Sequence, residues 1–128
     1  MLNNSSVTAN IPAVDIERAR SFYADKLGLT PVDENPGGLM YKTAGGTWFF
    51  LYPTEYAGQA GHTIAQFHVA DVAAEVKDLK EKGVTFERYE LPGLTWDGDV
   101  ASADDMGHMA WFKDSENNVL CIDDAPGM

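Results

Sequence analysis

The sequence predicts an α+β fold made of two βαβββ units. Two stretches, 15–28 and 71–83, each run from an aspartate to a glycine with apolar residues at helical spacing. Asp15 and Asp71 lie 56 positions apart (71 − 15), and in a chain of 128 residues this spacing indicates one unit built twice. We expect the units to form a curved mixed sheet around a shared cleft, with the helices outside.

Each predicted helix has a start and a stop signal. Asp15 and Asp71 stand where an N-cap carboxylate can accept a hydrogen bond from an otherwise unpaired backbone N–H. Gly28 and Gly83 stand where a left-handed residue ends a helix. The whole chain, 1–128, is therefore predicted to be a single domain of two repeated units, at about 5–53 and about 62–124.

Each half of the sequence has one predicted strand before its helix and three after it. In the first half the strands are predicted at 7–14, from 29 onward, at 39–43 and at 47–52. In the second half they are predicted at 63–70, 84–89, 108–113 and 119–123. The Gly- and Asp-rich segment 90–105 carries Trp96 and is predicted to be a long loop, with the indole docked over a cleft or against a partner subunit.

The charge balance limits the classes of partner. Nine basic and 20 acidic residues give a net charge of −11, which repels phosphate backbones and anionic lipids. We therefore expect neither a nucleic-acid nor a membrane partner. The balance suits a cationic ligand, although a well-solvated acidic surface explains it as well. A single cysteine, no signal peptide and no apolar run of about 20 residues indicate a cytoplasmic protein.

Three motifs carry a resemblance to a known family. They are Ile11-Pro12-x-x-Asp15-Ile16-Glu17-Arg18-Ala19-x-x-Phe22-Tyr23-x-x-x-Leu27-Gly28, Phe67-x-Val69-x-Asp71-Val72 and Trp111-Phe112-Lys113-Asp114-x-x-x-Asn118-x-Leu120. In order and spacing they resemble the vicinal oxygen chelate superfamily of glyoxalase-type lyases, extradiol dioxygenases, fosfomycin-modifying enzymes and bleomycin resistance proteins. The resemblance implies the two-unit fold and a homodimer, and it says little about function.

The resemblance also implies where metal ligands would stand. Family enzymes place His, Gln or Glu on the first and last strand of each unit, and these positions fall here on Thr8, Ile64, Cys121 and at or near Phe50. Such a set does not hold a hard divalent ion. A shift of one or two residues brings in Gln66 or His68 in the second unit, but in the first unit it brings in only Asn10 or Tyr52. We therefore predict a protein without a metal cofactor.

Strand alternation groups the candidate binding residues. Trp48, Phe50 and Tyr52 share one face of a strand, as do Ile64, Gln66 and His68, and each face is either core or cleft wall. A mid-strand cysteine is more often a small apolar residue than a nucleophile. No catalytic residue is predicted, and the candidate ligand-binding residues are Thr8, Asn10, Trp48, Phe50, Tyr52, Gln66, His68, Trp96, Trp111 and Cys121.

The leading functional prediction is a metal-free small-molecule-binding protein of the bleomycin-resistance type. It would bind or sequester an organic compound, with a cationic one favoured by the charge balance, in an aromatic-lined cleft. The alternative is a lyase or dioxygenase of the same superfamily that holds a divalent metal with unconventional ligands. A third class is a subunit or regulatory module whose cleft has no catalytic role.

Overall fold

The computed structural model describes residues 1–125, and within this range it contains two α-helices and ten β-strands. The helices are α1 (Ile16–Leu27) and α2 (Val72–Glu81), neither of them long and apolar enough to cross a bilayer. The strands are β1 (Ala9–Ala13), β2 (Asp33–Asn35), β3 (Gly38–Lys42), β4 (Trp48–Pro53), β5 (Thr63–His68), β6 (Phe86–Glu87), β7 (Thr95–Asp97), β8 (Val100–Ala103), β9 (Gly107–Lys113) and β10 (Val119–Asp123). A short 3-10 helix, Leu2–Asn4, precedes β1.

Both helices begin at the predicted caps. The Asp15 carboxylate accepts from the Arg18 N–H at 3.0 Å, and the Asp71 carboxylate accepts from the Ala74 N–H at 3.1 Å. Gly28 ends α1 in the left-handed region at φ +71°, where a residue with a side chain would be strained. The capping predictions are confirmed. The sequence could indicate these caps because each depends on interactions within a single helical turn.

The α+β class and the two βαβββ-like units are confirmed. The first sheet has the strand order β1-β4-β3-β2, and the second has the order β5-β10-β9-β8-β7, with β6 also pairing with β9. The parallel pairs β1·β4 and β10·β5 make both sheets mixed. The expected single curved sheet is instead two sheets, because β1 and β5 each pair only within their own unit in the described part of the chain.

The segment 90–105 is not the long loop that the sequence predicted. Its residues form the β7–β8 hairpin, in which Trp96 pairs with Ala101 and Gly98 turns the chain at φ +62°. The hairpin extends the second sheet by pairing β8 with the first half of β9. The predicted strand 84–89 is correspondingly reduced to β6, which pairs only with Trp111 and Phe112 in the second half of β9.

The helix-covered faces of the two sheets share one hydrophobic core. At the boundary between the units, Phe49 of β4 packs edge-on against Phe67 of β5, with ring centroids 6.2 Å apart. The fully buried members of this core include Ile11, Ala19, Tyr23, Leu39, Tyr41 and Leu51 from the first unit and Val72, Ala110, Phe112 and Leu120 from the second. A smaller cluster, on the other face of the second sheet, contains Ala101, Met109, Trp111, Val119 and Cys121.

A buried carboxylate joins the two units. Glu116, in the β9–β10 turn, accepts from Arg18 Nε at 2.8 Å, from the Asp15 N–H at 2.8 Å and from the Ser115 hydroxyl at 2.8 Å. Burial alone would raise the pKa of Glu116, but these hydrogen bonds and the charge of Arg18 lower it from 4.5 to about 2. The carboxylate therefore stays ionised and holds the start of α1 against the second unit.

Candidate functional site

An open cleft of about 630 Å³ lies between the two units, and we call it the inter-unit cleft. Its walls come from β1, β4 and the β3–β4 turn in the first unit and from β5 in the second. The lining residues are Ala9, Ile11, Thr43, Ala44, Gly45, Thr47, Trp48, Phe49, Ile64, Ala65, Gln66, Phe67 and His68. The cleft is therefore mainly apolar, with its polar groups gathered along β5 and the turn.

A second cavity of about 340 Å³ lies on the face of the second sheet that α2 leaves free, and we call it the methionine pocket. Its lining residues are Thr63, Gln66, Leu91, Pro92, Leu94, Met106, Met109, Trp111 and Cys121. The flexible, polarisable methionines can adapt to ligands of different shape. Gln66 lines both cavities.

Trp111 forms the floor of the methionine pocket and is fixed from several sides. It is 7 % exposed, and its indole N–H donates to the Thr63 hydroxyl at 3.1 Å. Trp96 of β7 packs on it at 5.9 Å between ring centroids, and Tyr89 packs edge-on at 5.7 Å. Arg88 in turn lies 5.6 Å from the centre of the Trp96 ring. The segment 89–97 therefore covers this face of the second sheet.

A bulge in β5 decides which of its side chains reach the pocket. Val119 pairs with Thr63 but Leu120 pairs with Ala65, so Ile64 is an extra residue in the ladder. Thr63 and Gln66 consequently line the methionine pocket, and Ile64 lines the inter-unit cleft instead. The bulge thus separates the mapped metal position Ile64 from Cys121, which is the mapped position on β10.

Asp123, which sequence reasoning missed, connects two of the predicted residues. Its carboxylate accepts from Gln66 Nε2 at 2.6 Å and contacts His68 Nδ1 at 2.6 Å, while Asp123 itself is 2 % exposed. Alternation along β10 was the available signal, because it places Asp123 on the same face as Cys121. That His68 is the parallel partner of Asp123 became clear only from the strand register.

Cys121 does not have the properties of a nucleophile. The side chain is buried, and burial together with the negative charge of Asp123 raises the pKa of the thiol to about 12. A thiol with this pKa stays protonated at neutral pH and contributes apolar surface to the pocket wall.

The structure brings some of the ten predicted site residues together and leaves others apart. Gln66, Trp111 and Cys121 line the methionine pocket, with Trp96 packed behind Trp111. Trp48 and His68 join Gln66 in lining the inter-unit cleft. The remaining predicted residues lie on the first unit outside both cavities: Thr8, Asn10, Phe50 and Tyr52. That these residues bind a ligand stays a prediction.

The side chains present do not fit a divalent metal of the kind that the resemblance implies. In residues 1–125 no three His, Cys, Asp or Glu side chains are placed to hold one ion. Gln66 and His68, the donors nearest to the mapped positions, are both bound to Asp123. On the first unit the mapped positions offer only Thr8 and Phe50, which supply at most one weak oxygen ligand.

The sequence matches the Glyoxalase/Bleomycin resistance protein/Dioxygenase superfamily over residues 6–122. The chain therefore belongs to this superfamily, as the motifs around Asp15, Asp71 and Trp111 predicted. No curated protein matches the sequence at a significant level.

Solved structures agree with the fold. TnmS3, an antibiotic-binding protein from Streptomyces sp. CB03234, is 23 % identical with a TM-score of 0.72, covering 95 % of this chain and 98 % of its own. The fosfomycin resistance protein FosX from Listeria monocytogenes, complexed with Mn(II) and sulfate, is 12 % identical with a TM-score of 0.70, covering 97 % and 92 %. A glyoxalase/bleomycin resistance protein from Catenulispora acidiphila is 18 % identical with a TM-score of 0.67, covering 94 % and 98 %. At these identities the similarity shows the fold alone.

Proposed function

We propose that this chain is a metal-free small-molecule-binding protein whose ligand lies along Gln66, the residue that lines both the methionine pocket and the inter-unit cleft. The observation that carries the proposal is an apolar pocket with a buried tryptophan floor, held in place by Thr63, Trp96 and Tyr89. A largely apolar cavity with a few fixed polar groups is the usual form of a small-molecule site. The donor set of the described residues also favours binding without a metal.

The walls favour a flat organic ligand. Indole rings and methionine side chains offer stacking and polarisable surface, and the cavities of about 340 and 630 Å³ are in the range of organic ligands. The net charge of −11 favours the approach of a cationic compound. TnmS3, an antibiotic-binding protein of the same fold, supports an organic ligand.

A second copy of the chain completes the site in this proposal. The first sheet leaves Trp48 43 % exposed and Phe50 and Tyr52 only partly buried, on the face opposite α1. The outer edges of β1 and β5 have no partner strand in the described residues. The chain exposes 7923 Å², whereas a compact monomer of 14.0 kDa exposes about 6,700 Å². Formation of a homodimer would bury this additional exposed surface. Sedimentation equilibrium measures the mass of the assembly directly.

Fluorescence binding measurements test the ligand site. We expect the flat cation acridine orange and the neutral 2-methoxynaphthalene to quench tryptophan emission, with Trp96→Ala weakening binding about tenfold because Trp111 loses its support. Trp48→Ala tests the inter-unit cleft in the same way. The matched control is Tyr56→Ala, since Tyr56 is 69 % exposed and lines neither cavity. If neither compound binds, or if neither tryptophan variant changes binding, the aromatic site is wrong.

Metal content decides between this proposal and the alternative of a metal-dependent lyase or dioxygenase. FosX, complexed with Mn(II), supports the alternative at the level of the fold. Untagged protein is dialysed against nickel, zinc, iron or manganese and then analysed by elemental mass spectrometry. We expect less than about 0.1 ion per chain, because no three donors converge in the described residues. One tightly held ion per chain would overturn the metal-free proposal.

A further inference from the structure

Asp123 is a buried carboxylate without a lysine or arginine partner in residues 1–125. Its side chain is 3 % exposed, and the only basic group within salt-bridge distance is His68. Burying a carboxylate is costly unless hydrogen bonds compensate, and here Gln66 and His68 occupy one oxygen each. The side chains of these three residues thus form a closed polar group, which we call the Asp123 triad.

The fold itself does not require the Asp123 triad. The first unit repeats the same parallel ladder, and the position 56 residues before His68 is Pro12 (68 − 56), which pairs with Tyr52. Neither of those side chains is a carboxylate or an imidazole, yet the ladder β1·β4 forms with an unbroken register. A polar group that one unit has and the other lacks points to a role beyond folding.

The triad fixes which nitrogen of His68 carries a proton. A carboxylate only accepts, so the short contact to Asp123 places the proton of a neutral ring on Nδ1. Nε2 then keeps a lone pair and has no hydrogen-bond partner in residues 1–125. The side chain of His68 is 45 % exposed and lines the inter-unit cleft. The cleft therefore contains an oriented hydrogen-bond acceptor among mainly apolar walls.

We infer that His68 is the hydrogen-bond acceptor for a hydroxyl group on a flat, otherwise apolar ligand, and that Asp123 is the residue that positions it. This inference rests on the proposed function of the cavities. An aromatic hydroxyl is a hydrogen-bond donor that stays neutral at pH 7, and Nε2 is the matching acceptor. Gln66 has its amide nitrogen bound to Asp123 and lines both cavities.

The tautomer is tested first, without any ligand. Nitrogen-15 NMR of the ring at pH 8 should show His68 with a protonated Nδ1 and an unprotonated Nε2. In Asp123→Asn, the new amide can donate to Nδ1, and the proton should move to Nε2. A doubly protonated ring in the native protein, or an unchanged tautomer in the variant, would overturn the positioning role of Asp123.

The acceptor role is tested with two compounds that differ in one donor. We expect the native protein to bind 2-naphthol about tenfold more tightly than 2-methoxynaphthalene, the gain of a single hydrogen bond. His68→Phe should remove this preference while changing the affinity for 2-methoxynaphthalene less than about twofold. Asp123→Asn should remove it as well, because Nε2 of the other tautomer carries the proton and donates instead of accepting.

A matched histidine serves as the control. His108 contacts Asp124 at 3.1 Å on the surface and lines neither cavity, so His108→Phe should leave the tenfold preference intact. Equal binding of both compounds by the native protein would overturn the role of His68 and leave the proposed binding function standing. Binding of neither compound would remove the proposed function and this inference together.

Discussion

The two units of the chain share one design but differ in what covers the sheet face opposite the helix. In the first unit this face carries Trp48, 43 % exposed, on β4. In the second unit it carries Trp111, 7 % exposed, under Tyr89 and Trp96. The difference comes from the segment between β6 and β9, which forms an additional hairpin that the first unit does not have.

This comparison separates the scaffold from the site. The repeated βαβββ pattern supplies the two sheets and their common core, and both units do this equally well. The added hairpin and the segment that leads into it supply a wall of the methionine pocket, which includes Leu91 and Leu94. One of the two cavities that we propose as the ligand site is therefore lined by the unit that departs from the repeat.

The largest expected difference between the units is the cost of removing a tryptophan. Trp111→Ala should lower the free energy of unfolding by about 3–5 kcal/mol, because it removes the floor of a packed cluster. Trp48→Ala should lower it by less than about 1 kcal/mol, since its side chain is already half in solvent. Urea unfolding followed by circular dichroism measures both. Similar losses in the two variants would contradict the contrast between the faces.

The next effect concerns the contact that joins the units. Glu116→Ala should lower the free energy of unfolding by about 2–3 kcal/mol, because it leaves Arg18 and the Asp15 N–H without their acceptor. Glu17→Ala is the control, since Glu17 is mostly exposed and pairs with Arg20 on the helix surface at 3.2 Å. We expect the control to change stability by less than about 0.5 kcal/mol. A Glu116 variant as stable as the control would show that the units do not depend on this contact.

The smallest expected effect is the acid sensitivity of the same contact. Folding lowers the pKa of Glu116 from 4.5 to about 2, so its stabilisation is complete above pH 4.5 and is lost as the pH falls toward 2. We expect a contribution of about 2 kcal/mol after allowance for the half-exposed Arg18. Unfolding curves at pH 6, 4 and 3 should fall more steeply for the native protein than for Glu116→Gln. Parallel curves would assign the acid sensitivity to other carboxyl groups.

The elements that the sequence predicted correctly are those set by neighbouring residues. The caps at Asp15 and Asp71 are local hydrogen bonds, and the strands near β3, β4, β9 and β10 follow short alternating runs. The hairpin within 90–105 was missed because its strands have three and four residues. Strands that short pair only when a neighbour such as β9 is already in place.

The candidate site likewise has some features that the local sequence predicted and others that it could not predict. Alternation correctly placed Gln66 and His68 on one face, where both contact Asp123, but it wrongly placed Ile64 with them. The bulge at Ile64 could not be predicted, because it depends on how β5 meets β10. The contributions of Met106 and Leu91 to the pocket follow from the position of a segment distant from β10 in sequence, so no local pattern indicates them.

The sequence by itself determined the superfamily, the two units and the helix limits, because residue type and spacing within one turn or one strand decide each of these. Only the tertiary structure decided that the units form two sheets, that Trp111 is covered and Trp48 is not, and that Asp123 contacts His68. These features depend on strand register and on contacts between residues far apart in the chain, whose free energy arises only after the chain has folded.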